Sequence, residues 1–107
     1  MTSSSSATSS AETTTLHIAS GLHQGRLPES LLRNFRQGDT LILTGEAVYA
    51  ALKTADNNSA LPFSTVALQA DVVARGLLSP WPDSVALVDH GGFVDLCVQH
   101  GKSLSWS

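Results

Sequence analysis

VALQADVVARGLLSPWPDSVALVDHGGFVDLCVQHGKSLSW, residues 66–106, is the stretch that decides the fold. The short apolar run Thr65 to Leu68 leads into Asp71-Val72-Val73-Ala74-Arg75-Gly76. There Asp71 is placed to cap a short helix and Gly76 to end it. Ser79-Pro80-Trp81-Pro82-Asp83 must be a loop, because two prolines so close permit neither a helix nor a central strand. A second apolar run, Val85 to Val88, leads through Asp89 and Gly91-Gly92 into a helical pattern from about Phe93 to His100. Gly101 stops it, and Ser103 to Trp106 is long enough for an edge strand. Strand, helix, strand, helix is the rhythm of a parallel sheet.

The N-terminal half repeats that rhythm. Leu16-His17-Ile18-Ala19 reads as a first strand ended by Ser20-Gly21. Leu27, Leu31, Leu32 and Phe35 then share one helical face, with Glu29, Arg33 and Arg36 on the other. Pro28 suits the first turn, where its missing N–H would be unbonded anyway. Thr40-Leu41-Ile42-Leu43 is apolar without alternation, as in a strand covered on both faces. Gly45 to Lys53 reads as an alanine-rich helix carrying Val48, Tyr49 and Leu52, and Asp56-Asn57-Asn58-Ser59 as a loop. The order predicts an α/β fold: one three-layer α/β/α domain over residues 16–107, with a mostly parallel sheet of four or five strands.

Residues 1–15 contain eleven Ser or Thr and no aromatic or branched aliphatic side chain, so a disordered tail is expected there. The chain of 107 residues is long enough for one domain. Its net charge of −3 with 14% charged residues argues against a dedicated nucleic-acid binder, which needs a basic stripe. Arg26, Arg33 and Arg36 are better read as the wet side of a helix. No apolar run approaches the ~18 residues of a membrane span. The tail has neither the apolar core of a signal peptide nor the arginines of an organellar presequence, so a cytoplasmic location is expected.

The residues alone reveal no reaction centre. Gly21 and Gly25 match neither the dinucleotide nor the phosphate-loop pattern. His17, His23, His90 and His100 include no pair at a helical ligand spacing, and the single cysteine, Cys97, rules out an internal disulfide or a Cys-rich metal site. No cofactor or metal is therefore expected. Asp89 and His90 sit at a strand end, where such folds bind ligands. The other strand-end loops are Ser20 to Gln24, Thr44-Gly45-Glu46 and Gln69-Ala70-Asp71. Cys97 lies on the apolar side of the last helix, more than a turn from its start. That is where a free cysteine packs as a small hydrophobe rather than reacting as a thiolate.

Taken in order, the motifs resemble the TusB/DsrH family: Leu16-His17, the Gly38-Asp39 turn before Thr40–Leu43, Gly45-Glu46-Ala47-Val48-Tyr49-Ala50, Asp71-Val72-Val73-Ala74-Arg75-Gly76-Leu77, Asp89 with Phe93-Val94-Asp95-Leu96, and Trp106 at the end. The resemblance implies a DsrEFH-like fold and a subunit of a sulfur-relay hetero-oligomer. TusC-like and TusD-like subunits would be its partners, taking persulfide sulfur from a TusA-like protein toward a TusE-like one, for 2-thiouridine at the tRNA wobble position. The essential cysteine of such a trio belongs to the TusD-type subunit. Some members also carry a cysteine in the first helix; here Leu31 follows Glu29-Ser30, so that thiol is absent. The resemblance thus implies a non-catalytic subunit. The alternatives are a DsrH-like subunit in sulfur oxidation, a thiol carrier using Cys97, and a binding module using the strand-end loops. The apolar surplus of Val48, Tyr49 and Leu52 marks the expected partner contact.

Overall fold

A computed structural model describes residues 14–52 and 64–106. The chain runs β1 (Thr14–Ala19), α1 (Glu29–Asn34), β2 (Thr40–Leu43), a 3-10 turn (Gly45–Val48) continued as helix through residue 52, β3 (Thr65–Leu68), α2 (Gln69–Ala74), β4 (Ala86–Val88), α3 (His90–His100) and β5 (Gly101–Trp106). The five strands form one sheet in the order β4-β3-β2-β1-β5, and every pairing is parallel. The α/β expectation holds, and the sheet is parallel throughout. The loop expected at Asp56 to Ser59 lies outside the described residues, as do residues 1–13 of the expected tail.

The topology sets which helix covers which face. From β1 to β4 each crossover steps the same way, so right-handed connections lay α1, the 3-10 turn and α2 on one face. Leu31, Ala47, Val48 and Val72 there meet Ala19, Leu41, Leu43 and Ala67 of the strands in one buried cluster. The last connection reverses direction and returns across the whole sheet to the far side of β1, which puts α3 on the opposite face. Eleven helical residues rise about 16 Å, close to the roughly 19 Å of four interstrand steps, so no linker is required. Gly101 turns the chain from α3 straight into β5 with a φ of 68°, a left-handed cap that glycine adopts without steric cost.

Several boundaries depart from the sequence expectation, each for a local reason. β1 opens at Thr14 rather than Leu16. The Thr15 N–H donates to Asp39 Oδ1 (2.9 Å) and Thr14 Oγ1 is bonded to His100 Nδ1 (2.6 Å), so both residues of the expected tail have partners in the fold. α3 begins at His90, ahead of Phe93, because the Asp89 carboxylate caps it by accepting the Gly92 N–H at 2.8 Å. Asp71 does not cap α2. It lies in the first turn of that helix and accepts the Gly45 N–H at 2.8 Å, joining two strand-end loops. β5 is a full six-residue strand, not only Ser103 to Trp106.

Candidate functional site

Among the described residues, one buried polar network joins three side chains far apart in the chain. His17 sits in β1, 1% exposed, and Asp39 just ahead of β2, 4% exposed. Each needs partners, since a buried polar group without them is costly. His17 Nε2 donates to Asp39 Oδ2 at 2.8 Å, and the same carboxylate accepts the N–H groups of Thr15 at 2.9 Å and Arg36 at 3.0 Å. Trp106, at the end of β5, donates its indole N–H to His17 Nδ1 at 3.1 Å. The rings of Phe35 and Trp106 flank the imidazole at centroid distances of 5.2 and 6.0 Å. Burial pushes the Asp39 carboxyl up. The hydrogen bonds from Thr15, His17 and Arg36, with the charge of His17 whenever its imidazole carries both protons, outweigh that and hold it below the usual carboxylate value.

This network binds the outermost strand to the centre of the sheet. It has no nucleophile, and its imidazole is enclosed by its own partners. Its chemistry is that of a structural clamp. A second clamp lies on the other face, where His100 bridges Thr14 Oγ1 at 2.6 Å and Thr40 Oγ1 at 2.9 Å from the end of α3.

Cys97 is half-buried on α3, in line with Phe93, Leu96 and the buried His100. It lies two turns beyond the helix start, where the dipole that would favour a thiolate has faded. The other side of α3 carries Val94 and Val98, 59% and 77% exposed. The helix is therefore apolar on its inward side and on the flank that carries Val94 and Val98, while Asp95 and Gln99 are exposed on the rest. Of the three residues expected at a partner contact, Val48 is enclosed in the core cluster, Leu52 is half-buried and Tyr49 reaches the surface at 36% exposure.

The strand-end loops divide into two groups. Ser20, Thr44 and Gly45 are knitted together: the Thr44 N–H and hydroxyl both donate to the Ala19 carbonyl, and the Ser20 N–H donates to the Trp106 carbonyl. At the ends of β3 and β4 an open groove of about 440 Å³ remains, lined by Gln69, Ala70, Val73, Ala74, Asp89 and His90. The carboxylate of Asp89 is engaged in capping, and the lining brings together no cluster of buried polar groups of the kind that orients a small ligand. Among the described residues no three His, Cys, Asp or Glu side chains are grouped to hold a metal ion, and no helix is long and apolar enough to cross a membrane.

Two comparisons with known proteins bear on this arrangement. The family described as "DsrH like protein" matches residues 20–103, most of the chain. Among curated relatives, "Protein TusB" of Pectobacterium atrosepticum is 40% identical over 81 residues, 73% of this chain and 85% of the relative. Its namesake in Pectobacterium parmentieri is 38% identical over the same shares, and that of Yersinia pestis 36% identical over 80 residues. The family match takes in Asp39, Cys97 and all of α3, and stops short of His17 and Trp106.

Proposed function

The chain belongs to the DsrH-like family, and from that membership we propose that it is a non-catalytic subunit of a TusBCD-like sulfur-relay complex in the cytoplasm. In that complex it supports the passage of persulfide sulfur from a TusA-like donor toward a TusE-like acceptor, for 2-thiouridine at the tRNA wobble position. The partners are TusC-like and TusD-like subunits, and the sulfur-carrying thiol is theirs.

The observation that carries the reading is the position of the one thiol. Relay by thiol exchange requires a sulfur that a second protein's sulfur can attack. Cys97 is set two turns into α3 and half-buried, not at the helix start. What the chain offers instead is apolar surface. α3 bears Val94 and Val98 outward, one turn apart, an exposed apolar pair of the kind a partner covers. Tyr49 and Leu52 add a second apolar region on the opposite face.

Co-expression with TusC-like and TusD-like proteins tests this. A stable hetero-oligomer is expected on size-exclusion chromatography, and a V94D/V98D chain should fold but fail to enter it. A chain that remains monomeric with both partners present contradicts the proposal. A DsrH-like role in sulfur oxidation fits the same family match, and would be recognised by normal 2-thiouridine in cells lacking the chain.

A further inference from the structure

The indole N–H of Trp106 is a donor only, so the ring nitrogen it reaches, His17 Nδ1, must present a lone pair. The remaining nitrogen, Nε2, therefore carries the proton and gives it to Asp39. These two bonds fix one tautomer of the neutral imidazole, with its proton on Nε2. We propose that His17 is a proton-sensitive latch for the last strand: a second proton on the ring expels the Trp106 indole and loosens β5 from the edge of the sheet.

The geometry leaves little alternative. A proton on Nδ1 would face the indole N–H across 3.1 Å, two donors with no acceptor between them. At 1% exposure the ring cannot turn to water. A doubly protonated ring would form an ion pair with the Asp39 carboxylate at 2.8 Å, so the second proton breaks the indole bond and leaves the Asp39 bond in place. Charged residues on the other elements around the ring do not compete for it. Arg36 contributes its backbone N–H to Asp39 and keeps its side chain in solvent, while Lys102 is exposed on β5. β2 presents Leu41 opposite His17, and the segment after α1 presents Phe35.

Loss of this bond matters because Trp106 is the one side chain through which β5 reaches the interior; otherwise the strand is held by its backbone ladder to β1 and by the Ser20 N–H bond to the Trp106 carbonyl. The strand pairs along one edge only, with β1, and every side chain in it except Trp106 is exposed. The inference concerns this chain alone and does not depend on the sulfur-relay reading.

The test is amide hydrogen exchange of the full chain between about pH 8 and pH 5, the span in which imidazoles change charge. Rates are corrected for intrinsic exchange and compared with a Trp106→Phe variant. The ring nitrogen shifts of His17 are followed by NMR in parallel. At the upper end the Nε2–H tautomer is expected. On acidification β5 amides should lose protection by about tenfold or more relative to β2, the factor that one unpaired buried donor implies. The variant should show weak β5 protection at both ends and no acid-dependent drop. An Nδ1–H tautomer, constant β5 protection while His17 gains its proton, or an equal acid loss in Trp106→Phe would each overturn the proposal.

Discussion

Asp39→Asn isolates the role of the buried carboxylate with almost no change of shape. The new amide turns its oxygen to the side that accepts from both His17 Nε2 and the Arg36 N–H, because the opposite orientation would create two donor–donor contacts instead of one. Its NH₂ then faces the Thr15 N–H. One unpaired buried donor costs about 1–3 kcal/mol, and the two bonds that survive are no longer charge-assisted, so a loss of about 2 kcal/mol is expected. Against a total stability of about 5–13 kcal/mol for a domain of this size, urea unfolding should show the midpoint fall by about 0.7–2 M with an unchanged slope. Adding Trp106→Phe to Asp39→Asn should cost less than Trp106→Phe costs in the natural chain. A midpoint within about 0.3 M of the natural one, or fully additive losses, would refute the view that these residues act as one network.

Acid sensitivity follows from the same carboxylate. Its value is lowered on folding, so the stability it contributes is full above the unfolded value near 3.9 and is lost as the pH falls through the lower folded value. Melting temperature measured down that range should fall in the natural chain and be flatter in Asp39→Asn. Gly45→Ala places a Cβ 3.1 Å from the Ser20 carbonyl oxygen at a φ of 52°, with backbone on both sides of the contact. A loss of about 1–3 kcal/mol is expected in urea unfolding, and a neutral result would mean the Ser20 loop yields freely. Val98→Asp alone, on a side chain already 77% exposed, should shift the melting temperature by no more than a few degrees while weakening partner binding. A chain that unfolds instead would place Val98 in the core.

The parallel alternation was legible because it depends on local patterns: unbroken apolar runs such as Leu41–Leu43, helical spacing, and glycines at turns. The position of β5 was not, since pairing with β1 is decided by the path of α3 across the sheet rather than by anything in Ser103–Trp106. The early start of α3 was open to sequence reasoning, as Asp89 precedes a helical pattern at cap spacing. Val48 turned inward because Gly45–Val48 winds as a 3-10 turn, and three residues per turn rotates the apolar face relative to an α-helix. Each member of the His17–Asp39–Trp106 network was visible singly, and their meeting was not, because 22 and 89 positions separate His17 from its two partners. A histidine within an apolar strand was the available signal, since such a ring must find polar partners once buried.

The most direct measurement for the central claim is tRNA 2-thiouridine in cells whose only copy of this chain carries Cys97→Ser, with assembly followed by co-purification of the TusC-like and TusD-like subunits. The half-buried hydroxyl should cost about 1 kcal/mol of stability, leaving both the complex and the 2-thiouridine level intact. An intact complex with the modified nucleoside gone would make Cys97 a sulfur carrier and contradict the account.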